Sequence, residues 1–135
     1  MNELREEVLP IREKADIVRI RQRVRERSGE IGFGLVDQTK TITAASELAR
    51  NALDHGGGGE MRLTVVEGND RRGLRLEFSD RGPGISDVER ALQDGFSTGA
   101  GLGLGLAGAS RLVNDFQIDT APGEGTRVTI TRWLP

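Results

Sequence analysis

The sequence predicts an α+β fold of two layers, a two-layer α/β sandwich with helices stacked on one face of a mainly antiparallel mixed sheet. Three observations lead there. Apolar residues first recur with helical spacing: Ile17, Ile20 and Val24 follow i, i+3, i+7, and Ala45, Leu48, Ala49 and Ala52 form a second stripe. The period then drops to two, with Met61, Leu63 and Val65 alternating with Arg62, Thr64 and Val66, and Leu74, Leu76 and Phe78 with Arg75 and Glu77. Glycine, 19 of 135 residues, gathers at 56–59, 82–84 and 99–108. Clustered glycine marks backbone that turns sharply or approaches a ligand closely.

The elements follow in order. Val8-Leu9-Pro10-Ile11 is a short first strand, placed at a sheet edge because proline donates no ladder hydrogen bond. A helix is expected from Ala15 to about Ser28, with Ile31 extending its apolar face. Arg19, Arg23 and Arg27 line another face, either solvated or suited to docking an acidic partner. Gly32-Phe33-Gly34 breaks the pattern, and a second helix runs from about Asp37 to Asp54. His55 and four glycines end it, with the histidine placed where the helix dipole favours a cation. Two strands around Met61–Val66 and Leu74–Phe78 form a hairpin across a polar turn from Glu67 to Arg72. Ser86 is positioned to cap a short helix through Gln93, followed by a glycine-rich loop over 94–102 that is expected to be mobile. Leu104 to Val113 returns to helix. Phe116–Thr120, a turn at Pro122-Gly123-Glu124-Gly125, and Arg127–Trp133 complete the sheet, with Trp133 as a core or edge anchor. Residues 1–135 are expected to make a single domain.

Composition narrows the function. A net charge of −2 gives no global field for nucleic acid or an anionic membrane. The absence of cysteine excludes disulfides and thiolate metal sites and fits a reducing, cytoplasmic compartment. One histidine cannot build a multi-histidine metal centre. No apolar run approaches the roughly 20 residues of a membrane span, and the acidic, polar start does not read as a secretory signal.

Three motifs carry chemistry. In Glu47-Leu48-Ala49-Arg50-Asn51 the acid and the amide are four residues apart, on one side of a helix at the rim of its apolar stripe. An Asn51 carbonyl oxygen suits magnesium when phosphates supply the remaining ligands, and Glu47 is placed to take a proton from an attacking hydroxyl. The same residues also suit a plain solvated helix face, with Arg50 and Asp54 paired at i, i+4. Asp80-Arg81-Gly82-Pro83-Gly84 follows a strand. An acid held there accepts a hydrogen bond from the exocyclic amine of adenine and repels the carbonyl of guanine, while Gly82 and Gly84 admit the base and ribose. An ordinary strand-exit turn has the same composition.

The third motif is Gly101-Leu102-Gly103-Leu104-Gly105-Leu106. It formally matches a dinucleotide fingerprint, but the polar segment before it is no strand, and the Gly-Lys-Ser/Thr of a P-loop is missing. Glycine-exposed amides before a helix still favour phosphate oxygens, with Ser97 and Thr98 as added hydroxyl donors. Thr126, after Gly123-Glu124-Gly125, is a further candidate for the adenine pocket from the sheet floor.

The ordered set Glu47-x-x-x-Asn51, Asp80-x-Gly82-x-Gly84, Gly101-x-Gly103-x-Gly105 resembles the GHKL (histidine kinase-like) ATP-binding fold, the Bergerat type. Asp16-Ile17-Val18, Val36-Asp37-Gln38, Ser46 to Asn51, Asp94-Gly95-Phe96-Ser97-Thr98, Gly123 to Thr126 and Trp133-Leu134 resemble, more narrowly, the RsbT-type serine/threonine kinases. The likeness runs from about Lys14 to the end, with Ala107 standing where some relatives carry proline.

This resemblance implies ATP and Mg2+ as cofactors, with Glu47 as general base, Asn51 as magnesium ligand and Asp80 as adenine reader. Gly82, Gly84, Gly101, Gly103 and Gly105 would cradle the nucleotide, with Leu102 and Leu104 between them. It further implies a small STAS-domain antagonist protein as substrate and a phosphatase as the partner that the freed kinase activates, in a stress or sigma-factor switch. Two alternatives stay open: an ATP-dependent anti-sigma factor that sequesters its partner without phosphotransfer, and a detached sensor-kinase domain that phosphorylates histidine.

Overall fold

In the computed structural model, residues 6–68, 70–84, 105–120 and 122–135 are described. The short helix and the loop expected between 85 and 104 lie outside them. The chain runs β1 (Glu6–Ile11), α1 (Lys14–Glu30), α2 (Leu35–Asp54), β2 (Gly59–Gly68), β3 (Arg71–Asp80), α3 (Gly105–Arg111), β4 (Asp115–Thr120) and β5 (Thr126–Trp133). The five strands stand in the order β1-β2-β3-β5-β4, and each described pairing is antiparallel. β5 therefore returns from the edge strand β4 to the middle of the sheet, beside β3.

Helix α1 begins where an acid can satisfy its free amides. The Asp16 carboxylate accepts the backbone N–H groups of Arg12 at 2.8 Å and Glu13 at 3.2 Å, and an Arg19 Nη1–H at 2.6 Å. These contacts, the Arg12 amide foremost, hold its carboxyl below the ordinary 3.8. A depressed carboxyl contributes stability that is complete above its unfolded value and fades as pH falls through the folded one. Asp16→Asn is therefore expected to lower Tm at neutral pH, with the gap to the parent closing as a melting series descends below pH 3.8.

The buried stripe of α1, Ile17, Ile20, Val24 and Ser28, is the expected one. Its arginine line is partly solvated, with the Arg19 and Arg23 side chains 63% and 43% exposed, and is paired with acids. Arg19 pairs with Asp16, Arg23 lies 3.0 Å from both Glu7 and Glu26, and Arg27 bridges Glu7 at 2.6 Å and Glu30 at 2.8 Å. The pairing acids come from β1 and from the same helix.

Helix α2 buries far more of its circumference, because it packs on α1, α3 and the sheet at once. Ala44, Ala45, Ala49 and Ala52 let those neighbours approach closely. Met61, Leu63, Leu74, Leu76, Phe78, Val128 and Ile130 supply the sheet side of the core. The opposite sheet face is kept wet by an ion ladder crossing every strand: Glu6–Arg62 at 3.3 Å, Arg62–Glu77 at 3.7 Å, Glu77–Arg127 and Arg127–Asp119 at 3.8 Å. Such exposed pairs add little stability, but they give the sheet its two unlike faces.

Two expectations need correction. The polar turn expected over Glu67 to Arg72 is a two-residue connection, since Gly68 pairs directly with Arg71. Asp70 takes φ +66°, which matches the strand twist in a tight hairpin and which a short polar side chain tolerates. The helix expected from Leu104 to Val113 is shorter among the described residues, ending at Arg111. Trp133 anchors the end of the interior strand β5 and not a sheet edge: its ring lies under the Arg71 guanidinium, 4.7 Å from centroid, and its Nε1–H donates to Asp115 at 3.0 Å.

Candidate nucleotide site

Helix α2 is the axis of the site. Glu47 projects where α2 meets α3 and is only 9% exposed. Its Oε1 accepts the backbone N–H of Gly105 at 3.2 Å, and its Oε2 accepts an Arg50 Nη1–H at 3.0 Å. The i, i+4 pair expected between Arg50 and Asp54 is thus replaced by an i, i+3 pair, because Arg50 reaches back to the more buried carboxylate. Asn51, half-buried, stands one turn beyond Glu47 on the same side.

The helix then ends in glycine. His55 caps it, its N–H bonding to the Asn51 carbonyl at 2.9 Å, and the Gly58 N–H reaches the Ala52 carbonyl at 2.8 Å with Gly57 and Gly58 at positive φ. Gly59 opens β2 directly opposite Asp80, the last residue of β3. The end of α2 and the end of β3 therefore meet.

The turn after β3 is folded around Asp80. Its Oδ1 accepts the Gly82 N–H at 2.8 Å. A Cβ on Gly82 would fall 2.5 Å from the Gly56 Cα. Gly84 holds φ +78°, and the neighbouring Pro83 carbonyl accepts the N–H of Gly123 at 2.7 Å. This bond stitches the Asp80–Gly84 turn to the turn between β4 and β5. Gly125, at φ +81°, presses so close that a Cβ there would fall 2.2 Å from the Asp80 carbonyl oxygen. Thr126 lies beside Asp80 on β5, with its hydroxyl hydrogen-bonded to Thr120 at 3.0 Å.

Glu47, Asn51, Asp80, Gly82, Gly84, Gly105 and Thr126 are thus carried by elements that abut end to end. Ser97, Thr98, Gly101, Leu102, Gly103 and Leu104 lie outside the described residues. Sequence reasoning missed three participants. Arg50 was detectable from its i, i+3 spacing to Glu47; Gly56 and Gly125 look like ordinary helix-end and hairpin glycines until Asp80 is placed beside them. A groove of about 670 Å3 lined by Glu67, Arg71, Arg72 and Leu134 opens at the other end of β2 and β3 and includes none of the predicted site residues.

The donor set suits a purine nucleotide. Asp80 has one oxygen tied down and the other, Oδ2, without a protein donor among the described residues, so it remains available to accept from a ligand. No group of three acidic, histidine or cysteine side chains able to hold a metal exists among the described residues. A hard cation there would rest on an amide oxygen such as that of Asn51 and on ligand phosphates.

Comparison with known proteins agrees with this architecture. Residues 36–135 match the model of the histidine kinase-, DNA gyrase B-, and HSP90-like ATPase family. The chain is 44% identical over 119 residues to the serine/threonine-protein kinase RsbT of Bacillus subtilis, covering 88% of this chain and 90% of that one. It is 30% identical over 101 residues to the anti-sigma F factor of the same organism, covering 71% and 69% respectively. The crystal structure of the RsbU and RsbW domains of a Mycobacterium tuberculosis protein superposes on 99% of this chain with a TM-score of 0.66 at 24% identity, and this chain spans about 34% of that one. The chain belongs to the histidine kinase-, DNA gyrase B- and HSP90-like ATPase family, and within it to the RsbT group of serine/threonine protein kinases. Membership of this ATPase and kinase family implies that the chain uses ATP. No helix among the described residues is long and apolar enough to cross a membrane.

Proposed function

We propose that this chain, as a single catalytic domain in the cytoplasm, phosphorylates a serine or threonine of a small STAS-domain antagonist protein, and that the kinase so released binds and activates a partner phosphatase. The observation that carries this reading is the buried Glu47, held between Arg50 and the Gly105 amide one turn from Asn51. Bound Mg–ATP supplies the transferable phosphoryl group and the charge that screens it.

The protein's part is positioning and proton transfer. Each Glu47 oxygen keeps a second lone pair after its hydrogen bond, so the carboxylate can take the substrate hydroxyl proton without leaving Arg50. Asn51 offers its carbonyl oxygen to the metal. Asp80 accepts from the adenine amine through Oδ2, and Gly82 and Gly84 let backbone stand against the base. Gly101 and Gly103, with Ser97 and Thr98, would offer amides and hydroxyls to the phosphates, while the Gly105 amide holds Glu47.

Incubation with labelled ATP, magnesium and a candidate STAS-domain protein tests the proposal. An acid-stable label on serine or threonine is expected; an acid-labile product would assign the chain to histidine transfer instead. The similarity to an anti-sigma F factor supports a second reading, in which the same nucleotide site gates sequestration of a partner. Stoichiometric complex formation with no label transferred would favour it.

A further inference from the structure

Gly56 is a glycine that backbone conformation does not explain. Its φ is not among the positive values that mark Gly57, at +74°, and Gly58, at +106°. Space explains it. A Cβ at Gly56 would lie 2.2 Å from Cγ, 2.5 Å from Cβ and 2.6 Å from Oδ2 of Asp80, closer than real Cβ contacts come. On the same backbone, Gly82 stands near enough that its own Cβ would fall 2.5 Å from the Gly56 Cα and 3.0 Å from its carbonyl oxygen. Gly56, the Asp80 side chain and Gly82 are thus mutually packed without intervening side chains.

Asp80 cannot swing aside cheaply. Its side chain is short, the clash reaches back to its Cβ, and its Oδ1 is bound to the Gly82 N–H. A methyl group at position 56 has to rotate the carboxylate, break that bond, or push the end of α2 off the end of β3. The first two move Oδ2, and the third shifts Oδ2 relative to the helix that carries Glu47 and Asn51.

We infer that Gly56 is a positioning residue for base selection: it brings the end of the helix bearing Glu47 and Asn51 into direct contact with Asp80 and thereby sets where Oδ2 meets the purine. The inference rests on the reading of Asp80 as the adenine acceptor. It accounts for a glycine immediately after the helix cap, five residues beyond Asn51, where capping alone tolerates other residues.

The test measures Mg–ADP and Mg–GDP affinities of the full chain by calorimetry for the parent, Gly56→Ala, Gly57→Ala and Asp80→Asn. Gly56→Ala is expected to weaken ADP binding by about tenfold or more, the equivalent of a lost hydrogen bond to a charged group, and to narrow the ADP-to-GDP ratio. Gly57→Ala strains the same loop, but its Cβ would meet nothing within 4 Å, so it is expected to leave the ratio unchanged. An unchanged ratio in Gly56→Ala, or an equal loss in Gly57→Ala, overturns the inference. Should Asp80→Asn also leave the ratio unchanged, the adenine reading of the site fails with it; should Asp80→Asn alone collapse the ratio, only the role of Gly56 falls. If Gly56→Ala does not fold, Gly56→Ala/Asp80→Gly is expected to recover a cooperative melt because the clashing side chain is gone, and failure to recover it overturns the inference equally.

Discussion

Replacing Glu47 by Gln is expected to slow phosphotransfer by about 10²- to 10⁴-fold, the usual range for loss of a positioned general base, while Mg–ATP affinity stays within about threefold. Gln has the shape of Glu and its amide oxygen can still accept the Gly105 N–H, so the contact joining α2 to α3 survives. What disappears is the basic oxygen and the charge that holds Arg50. A rate assay on the proposed STAS-domain substrate beside a calorimetric titration with Mg–ATP separates the two quantities. Undiminished transfer would remove Glu47 from the chemistry. Parallel loss of rate and affinity would make it a structural contact between helices.

Asp80→Asn is expected to weaken Mg–ADP binding by about 10- to 100-fold, the equivalent of a lost hydrogen bond to a charged group, and to relax discrimination against guanine. The Gly82 N–H decides how the new amide sits. It requires an oxygen at the Oδ1 position, so the Asn oxygen stays there and the NH2 group takes the place of Oδ2. A donor then faces the adenine amine, where it repels, and the guanine carbonyl, where it attracts. Competition of ADP and GDP for the same site reads the change directly. Unaltered preference would mean that the base is read elsewhere and that Asp80 only shapes the turn.

These expectations depend on how far the sequence carried the site. Glu47, Asn51, Asp80, Gly82 and Gly84 were legible because their spacing is local: an acid and an amide one helical turn apart, and an acid followed by glycines at a strand end. The period change near Met61 placed the helix-to-sheet transition, and Pro10 placed β1 at the edge, where it stands. Spacing alone misjudged what Arg50 pairs with. At i, i+4 Asp54 is a good partner on an isolated helix, but Asp54 is exposed here while Glu47 is buried under α3, and a buried carboxylate gains more from a cation than one already in water. The acid that meets the arginine line of α1 was not legible for a related reason. Glu7 lies on β1, twenty residues before Arg27, and only the packing of β1 under α1 brings it there.

The sequence by itself determined the two layers, the order of their elements and the types of residue gathered for nucleotide chemistry, because amphipathic period and turn composition are written in neighbouring residues. The contact of Gly105 with Glu47, 58 residues away, and the packing of Gly56 and Gly125 against Asp80 were decided only by the tertiary structure. Such contacts depend on how closely one backbone approaches another once the core has closed, and a glycine that serves close approach has the same local signature as one that serves a turn.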